Sequence, residues 1–322
     1  MEEILKKMKG RLRLEHKALS TEKVYLQWAG RFLRNCSNYN AAELDESHVE
    51  EFLTRLALVD QVTAKTQNQA LNAIIFLFKF VIEKELKDIN AFRAKESRYL
   101  PTVLSKNEAA KIIEQVNPKY RILLQLLYSS GLRRNELLRL RVQDIDFEQK
   151  KILVRRAKGD KDRCTLLAPS LENHLKRILA KRKELHDKDL EAGVGSVYLP
   201  HALSKKYPRA AYEFRWQYFF PSTVISTDPR SGIRRRHHLH KETLQRSIRE
   251  AAEKAGVAKH VTTHTFRHSF ATHLLENKYD IRTVQELLGH KDVNTTMIYT
   301  HVVNNSFMGV ESPFESIGRP GL

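Results

Sequence analysis

Tyr299 closes a segment that also supplies an arginine and two histidines, and together these side chains suit chemistry on a phosphate ester. A phenol is a weak nucleophile at neutral pH, because its unperturbed pKa is about 10, so it needs neighbours that neutralise charge on the electrophile. Arg267 can hold two nonbridging phosphate oxygens with its planar guanidinium, and His264 and His290 can each donate to the same group. The segment therefore predicts a site in which a tyrosine attacks a phosphate.

Each of these residues also has an ordinary interpretation. A single tyrosine on an apolar helix is usually a core or interface aromatic, and a lone His-x-x-Arg pattern carries almost no information. His264 and His268 are four apart, as in a zinc helix, but Thr265 stands where such a helix needs a glutamate. Metal is therefore not expected, and only the combination of residues in one short span favours phosphate chemistry.

Upstream, Arg133 lies between an apolar helical run ending at Gly131 and a helix beginning near Glu136. An arginine near a helix start opposes the helix dipole, so an anionic ligand there would explain it. The alternative is an ordinary ion pair between Glu136 and Arg133 or Arg134.

A lysine completes the candidate set. Three short strands are predicted at 144–147, 151–156 and 163–167, and the second and third are joined by the turn AKGDKD. Lys158 in that turn can reach a groove of a nucleic acid and protonate a leaving sugar oxygen. Most turn lysines are merely solvated charges.

The segments GLRRNELLRL, AKGDKD, HTFRHSFATHLL, LLGH and TTMIYTH together resemble the tyrosine recombinase (lambda-integrase) family, from about Ser105 to Val302. This resemblance implies attack of the nucleophile on a DNA backbone phosphate, a 3'-phosphotyrosyl intermediate, and no cofactor or metal. Matched position by position, it implies the catalytic residues Arg133, Lys158, His264, Arg267, His290 and Tyr299.

Composition agrees with a polyanionic partner. The 56 basic and 38 acidic residues leave a formal charge of +18, as expected for a nucleic-acid-binding protein. Residues 105–322 carry +15 of it, so the carboxy-terminal part should dominate backbone contact. Without a long apolar run, a signal peptide or paired cysteines, the chain is expected to be cytoplasmic, in a bacterium, associated with the nucleoid and away from the membrane.

The predicted fold class is mainly α with a small antiparallel β-sheet. An all-helical core-binding (SAM-like) domain is expected at 1–94, a linker at 95–104, and the catalytic domain at 105–322, started by a capping box of Ser105 and Glu108. Helix starts in the first domain are predicted at Ser20, Asp45 and Thr63.

A segment at about 191–220 is too long and too aromatic for a connector: residues 198–220 include 8 Phe, Tyr or Trp. It is either a small satellite core or a surface for unpaired bases. It resembles the insertion of integron integrases, and the segments YEFRWQYFFPS, RRRHHLHKETLQ and GVESPFESI resemble the same subfamily. The resemblance implies recombination of a duplex attI site with a folded single-stranded attC hairpin, in a gene cassette.

By the same resemblance, bases displaced from the hairpin stem would be contacted by Trp216, Pro229, His237 and His238. Solvated basic residues are the alternative for the histidines. Arg155 stands where some relatives have an aromatic, and its guanidinium plane would have to substitute.

Three other functions remain open: a Xer-type recombinase acting on duplex sites alone, a non-catalytic DNA-binding protein, and a type IB topoisomerase. The aromatic insertion argues against the first, and the complete catalytic set against the second. A synaptic tetramer is expected on DNA, with the tail at about 303–322, especially 307–314, docking on a neighbouring subunit.

Overall fold

The computed structural model describes residues 1–95, 101–155, 162–199 and 201–307. The chain divides into two compact units, Met1–Tyr99 and Leu100–Leu322, and the division lies within the stretch predicted as a linker. Both units are mainly helical, and the second carries two small antiparallel sheets, which confirms the predicted fold class. Across the described residues, no helix combines the length and apolar composition needed to cross a bilayer.

The first unit is a helical bundle. It consists of α1 (Glu2–Leu14), α2 (Leu19–Asn35), α3 (Glu46–Leu58) and α4 (Ala64–Leu77), and α4 continues into a π-helical turn, Phe78–Ile82. Phe32 lies at the centre of its core, with ring centroids 5.5 Å from Phe52 and 5.9 Å from Phe78.

Two of the three helix starts predicted in this unit are confirmed. The Asp45 carboxylate accepts from the backbone of Ser47 and His48, and Thr63 caps α4. The prediction for Ser20 is wrong, because α2 begins at Leu19 with Ala18 as its N-cap. A tight turn after α1, where His16 has a φ of 51°, makes Ala18 the extended residue that an N-cap requires.

The second unit begins with α5, and its capping box of Ser105 and Glu108 is present as predicted. Its helices are α5 (Lys106–Gln115), α6 (Pro118–Ser130), α7 (Arg134–Arg139), α8 (Glu172–Glu191), α9 (His201–Lys206), α10 (Lys241–Lys254), α11 (Thr263–Glu276), α12 (Ile281–Leu288) and α13 (Asn294–Phe307). Helix α11 packs against α6, α12 and α13, so three elements surround the segment that contains Arg267.

The main sheet is a meander of β1 (Ile145–Asp146), β2 (Lys151–Val154) and β3 (Arg163–Leu166). All pairs are antiparallel, and Ile152 lies opposite Thr165. Alternate residues of β2 are buried, so one face of the sheet rests on the core.

The predicted insertion has a core of its own. Val197, Leu199, Ala210 and Tyr218 form a separate apolar cluster, and Leu203, Ala211 and Trp216 pack against it. A hairpin of β4 (Pro221–Thr227) and β5 (Arg234–His238) follows directly. The satellite-core interpretation is therefore correct for these residues, whereas Tyr207 and Tyr212 remain 51% and 55% exposed.

Candidate active site

Arg267 lies at the centre of the candidate site and is only 3% exposed. Its Nη1 donates to the Gly131 carbonyl and its Nη2 to the Leu288 carbonyl, both at 2.6 Å. These carbonyls belong to the C-terminal ends of α6 and α12, where the helix dipole favours a cation. Burial, followed by the charge of Arg133, nevertheless lowers the pKa of Arg267 to about 9. The guanidinium is rigidly held, and an anion beside it would be stabilised.

Two glycines allow the ends of α6 and α12 to pack closely against neighbouring side chains. Gly131 and Gly289 end α6 and α12 in the left-handed region, with φ of 62° and 64°. A Cβ at position 131 would lie 2.4 Å from the Phe270 ring, and one at position 289 would lie 2.6 Å from Cδ of Arg163. Asp280 caps α12 at its N-terminus, and Gly289 ends the helix.

Arg133 is the N-cap residue of α7. Its Nη1 donates to Glu136 at 2.7 Å, so the ion pair considered as an alternative is present. Its Nη2 also points to the Gly289 carbonyl, at 3.5 Å, which places the guanidinium beside the segment carrying His290. Arg133 therefore belongs to the same cluster as Arg267 and keeps a partly exposed side.

Arg163 joins this cluster although the sequence did not single it out. It donates to both oxygens of Glu136, at 3.0 and 2.7 Å, and its Nε donates to the Leu287 carbonyl. Burial alone would raise the pKa of Glu136, but the hydrogen bonds and charge of Arg163 and the hydrogen bonds of Arg133 lower it to about 2. One carboxylate thus holds two arginines, with Arg267 3.9 Å away. The available signal was the lone acidic residue in GLRRNELLRL.

His290 lies where α12 ends. Its Nε2 accepts from Arg267 at 3.0 Å, so in the neutral ring Nδ1 carries the proton and donates to Thr296 Oγ1 at 2.9 Å. Burial and then the charges of Arg267 and Arg133 lower the pKa of His290 to about 3. The ring is therefore neutral at pH 7 in this structure.

Tyr299 is 1% exposed, and its ring packs with Phe270, Ala271, Val284 and Leu288. Its hydroxyl hydrogen-bonds to Nδ1 of His268 at 3.0 Å, and its ring stacks on His290 at a centroid distance of 6.4 Å. Burial raises the pKa of the phenol, and the charges of Arg267 and Arg133 oppose that rise. The core-aromatic and the nucleophile interpretations are compatible here, because only the hydroxyl meets polar groups.

His264 is exposed on α11, one turn before His268, and its ring centroid is 6.4 Å from that of His268. Burial of part of the ring and the charge of Arg267 lower its pKa. The structure therefore brings together Arg133, Arg267, His290 and Tyr299, with His264 on the solvent side. Lys158 lies outside the described residues. β2 ends at Val154, opposite Arg163, where β3 begins.

The five candidate base-contacting residues lie in two different settings. Trp216 is half-buried, with the Arg141 guanidinium 5.8 Å from its ring, and its indole N–H has no hydrogen-bond partner within the described part of the chain. Pro229 is exposed at the tip of the β4–β5 hairpin. Arg155 pairs with Asp144 at 2.6 Å, and this bond orients its guanidinium.

His237 and His238 are not the solvated cations considered as the alternative. Their rings lie 4.1 Å apart and both approach the buried Tyr218. Burial lowers the pKa of both, and that of His238 to about 4, so they are neutral rings at pH 7. Together with Trp216 and Tyr218 they form an aromatic cluster at the base of the hairpin.

The chain is similar to known proteins along almost its whole length. Residues 102–306 match the phage integrase family, and residues 4–88 match its N-terminal SAM-like domain. An integrase/recombinase of Escherichia coli is 43% identical over 98% of this chain and 94% of its own length. The tyrosine recombinase XerA of Thermococcus onnurineus is 31% identical over 93% and 91%.

Solved structures show the same fold. XerH recombinase bound to a palindromic difH substrate has a TM-score of 0.61 at 23% identity, covering 94% of this chain and 81% of its own. A lambda integrase dimer bound to a COC' core site has a TM-score of 0.61 at 17% identity, covering 97% and 98%.

Proposed function

This chain belongs to the phage integrase family of tyrosine recombinases, and we propose that it is an integron integrase whose chemistry is carried out by the cluster around Arg267. In this proposal Tyr299 attacks a DNA phosphate, and Arg133 and Arg267 bind its nonbridging oxygens. The oxygen–phosphorus bond to the 5'-oxygen breaks, and Lys158 protonates the released hydroxyl. Attack by a second 5'-hydroxyl reverses the step on another strand.

The histidines complete the oxyanion contacts. His290 is neutral and accepts from Arg267 in the absence of DNA. A bound phosphate adds negative charge that favours the protonated imidazole, so its Nε2 becomes a donor. His264 is exposed on the same side and supplies the second donor.

The observation that carries the integron assignment is the insertion with its own core, placed directly before the hairpin of β4 and β5. Trp216, His237 and His238 are partly exposed around the buried Tyr218, and together they bring flat, neutral rings to one place. Stacking on such rings contributes roughly 1–3 kcal/mol per unpaired base. We infer that the partly exposed rings of this cluster receive the unpaired bases of a folded gene-cassette hairpin, in addition to packing against the satellite core.

The remaining parts of the proposal follow the family. A duplex attI-like site and a folded attC-like strand are recombined in a synaptic tetramer, and the tail at 303–322 docks on a neighbour. Residues 308–322 of that tail lie outside the described part of the chain. The domain limits 1–94 and 105–322, a bacterial cytoplasmic location on the nucleoid, and the absence of any cofactor belong to the same proposal.

The chemistry is tested with a nicked duplex whose cut fragment diffuses away, in the presence of EDTA. The wild-type chain is expected to accumulate a covalent protein–DNA adduct without magnesium, and Tyr299→Phe is expected to form none. A stable adduct in the variant refutes the assignment of the nucleophile.

The substrate is tested by binding to a bulged single-stranded hairpin and to duplex of the same sequence. Trp216→Ala and His238→Ala are expected to weaken hairpin binding by about 10-fold for one stacked base while leaving duplex binding unchanged. Tyr279→Ala is the matched control, since Tyr279 is an aromatic 55% exposed outside the insertion. Equal loss on both substrates would favour the Xer-type alternative with a structural insertion.

A further inference from the structure

The Tyr299 hydroxyl has a partner outside the six residues assigned to catalysis. Nδ1 of His268 lies 3.0 Å from it, and the two ring centroids are 5.5 Å apart. His268 follows Arg267 directly in the chain, and a helix turns about 100° per residue, so its side chain leaves α11 in another direction. It meets α13, whereas Arg267 meets the ends of α6 and α12.

The other two histidines of the site, His290 and His264, do not contact the Tyr299 hydroxyl in this way. Both ring nitrogens of His290 are bound, one by Arg267 and the other by Thr296. His264 is exposed one helical turn away, on the side assigned to the phosphate. Among the described histidines, His268 is the one with a ring nitrogen within hydrogen-bond distance of the Tyr299 hydroxyl, which must lose a proton.

His268 is also in the correct protonation state. Burial, followed by the charges of His264 and Arg267, lowers its pKa to about 4, so the imidazole is neutral at pH 7. If Nδ1 is the nitrogen without hydrogen, its lone pair accepts the Tyr299 hydroxyl. The groups that face it are His264 and Arg267 on its own helix, Tyr299 on α13 and His290 after α12. A phosphate bound among them adds negative charge that stabilises an imidazolium.

We propose that His268 is a further catalytic residue, which accepts the phenolic proton of Tyr299 during attack and returns it during religation. The Oη–H bond of Tyr299 breaks as its Oη–P bond forms, and the proton goes to Nδ1 of His268. The P–O5' bond breaks, and its oxygen takes a proton from the separate acid assigned to Lys158. In religation each transfer reverses, so no proton or electron is gained or lost overall. This inference rests on the proposed role of Tyr299 as nucleophile.

The same helix provides a matched control. Five residues later on α11, Nδ1 of His273 hydrogen-bonds to the Tyr128 hydroxyl at 2.8 Å. His273 is 8% exposed, and burial lowers its pKa as well. Both pairs join a histidine of α11 to a tyrosine of a neighbouring helix, but Tyr128 lies on α6, outside the proposed reaction. Loss of the second pair therefore measures what a structural His–Tyr bond contributes.

The test is the single-turnover rate of adduct formation on the nicked duplex at saturating protein. We expect His268→Ala and His268→Asn to slow this rate by about 10²–10⁴-fold, the usual contribution of a general base. His268→Asn can still hydrogen-bond to the hydroxyl but cannot take its proton. We expect His273→Ala to keep the wild-type rate. A wild-type rate in His268→Asn reduces His268 to positioning and overturns the proposal.

Two rescue experiments distinguish loss of proton transfer in the His268 variants from a loss of folding. Without the acceptor the phenol must ionise by itself, so the variant rate should rise about tenfold per pH unit toward the phenol pKa. A fluorinated tyrosine at position 299, which lowers that pKa, should likewise restore much of the rate of His268→Ala. Absence of both rescues overturns the proposal. An adduct in Tyr299→Phe refutes the proposed nucleophile itself, whereas an inert Tyr299→Phe beside a fully active His268→Ala refutes the role of His268 alone.

Discussion

Gly289→Ala tests whether the C-terminal end of α12 packs so tightly on Arg163 that an added methyl group displaces this arginine. Gly289 has a φ of 64°, and alanine in that conformation costs about 1 kcal/mol. The new Cβ would also lie 2.6 Å from Cδ and 3.0 Å from Nε of Arg163. Arg163 would have to move, although it donates twice to Glu136 and once to the Leu287 carbonyl.

The expected loss of stability can be stated from these contacts. Hydrogen bonds to a charged group contribute about 1.5–3 kcal/mol each, so losing one of them adds about 2 kcal/mol to the backbone term. We therefore expect Gly289→Ala to lower the free energy of unfolding by about 3 kcal/mol. Gly256→Ala is the matched control: Gly256 follows α10 with a φ of 66°, and a Cβ there meets no described residue within 4 Å. Its cost should stay near 1 kcal/mol.

Urea unfolding followed by tryptophan fluorescence measures this difference. The chain has two tryptophans, and in a Trp28→Phe background Trp216 alone reports on the second unit. Adduct formation should also slow in Gly289→Ala, because displacement of Arg163 disturbs the carboxylate that holds Arg133. Equal destabilisation by the two alanine variants would show that Arg163 is free to move, and would refute the reasoning.

Three further predictions concern the same cluster. Arg163→Lys keeps the charge but loses the two-point contact with Glu136, and should lower the free energy of unfolding by about 2 kcal/mol in the urea assay. The pKa of Glu136 falls from 4.5 to about 2 on folding, so its ionised form stabilises the fold above pH 4.5. The stability difference between wild type and Glu136→Gln should be complete at pH 7 and shrink as the pH falls from 4.5 toward 2. Thr296→Val removes the acceptor of the His290 Nδ1 proton and should slow adduct formation and alter the tautomer seen by nitrogen NMR, while an unchanged tautomer would contradict the assigned bond.

Some of the fold was predictable because it depends on neighbours in sequence. Caps such as Asp45, Thr63 and Asp280 bond to amides two or three residues away, and Gly289 supplies a conformation that other residues rarely adopt. The prediction that Ser20 caps α2 was wrong because it used residue type alone. Serine favours a capping position, but the turn that follows α1 decides which residue has extended backbone.

The insertion shows where sequence reasoning ends. Eight aromatic residues in a short segment indicate contact, but composition cannot say whether a ring faces the interior or the solvent. Tyr218 is buried in the satellite core while Tyr212 is exposed, and His237 and His238 become neutral through burial beside Tyr218. Burial depends on contacts between distant residues, which no local pattern contains.

The sequence by itself determined which side chains are available for attack on a phosphate, because residue type and order are written in the chain. Only the tertiary structure decided how they are held. Arg267 is fixed by two helix ends that are 136 and 21 residues away in sequence, and Arg163 joins the site across 27 residues through Glu136. His268 meets the Tyr299 hydroxyl only because α11 packs against α13. Hydrogen bonds require atoms within about 3 Å, and packing of remote elements sets those distances.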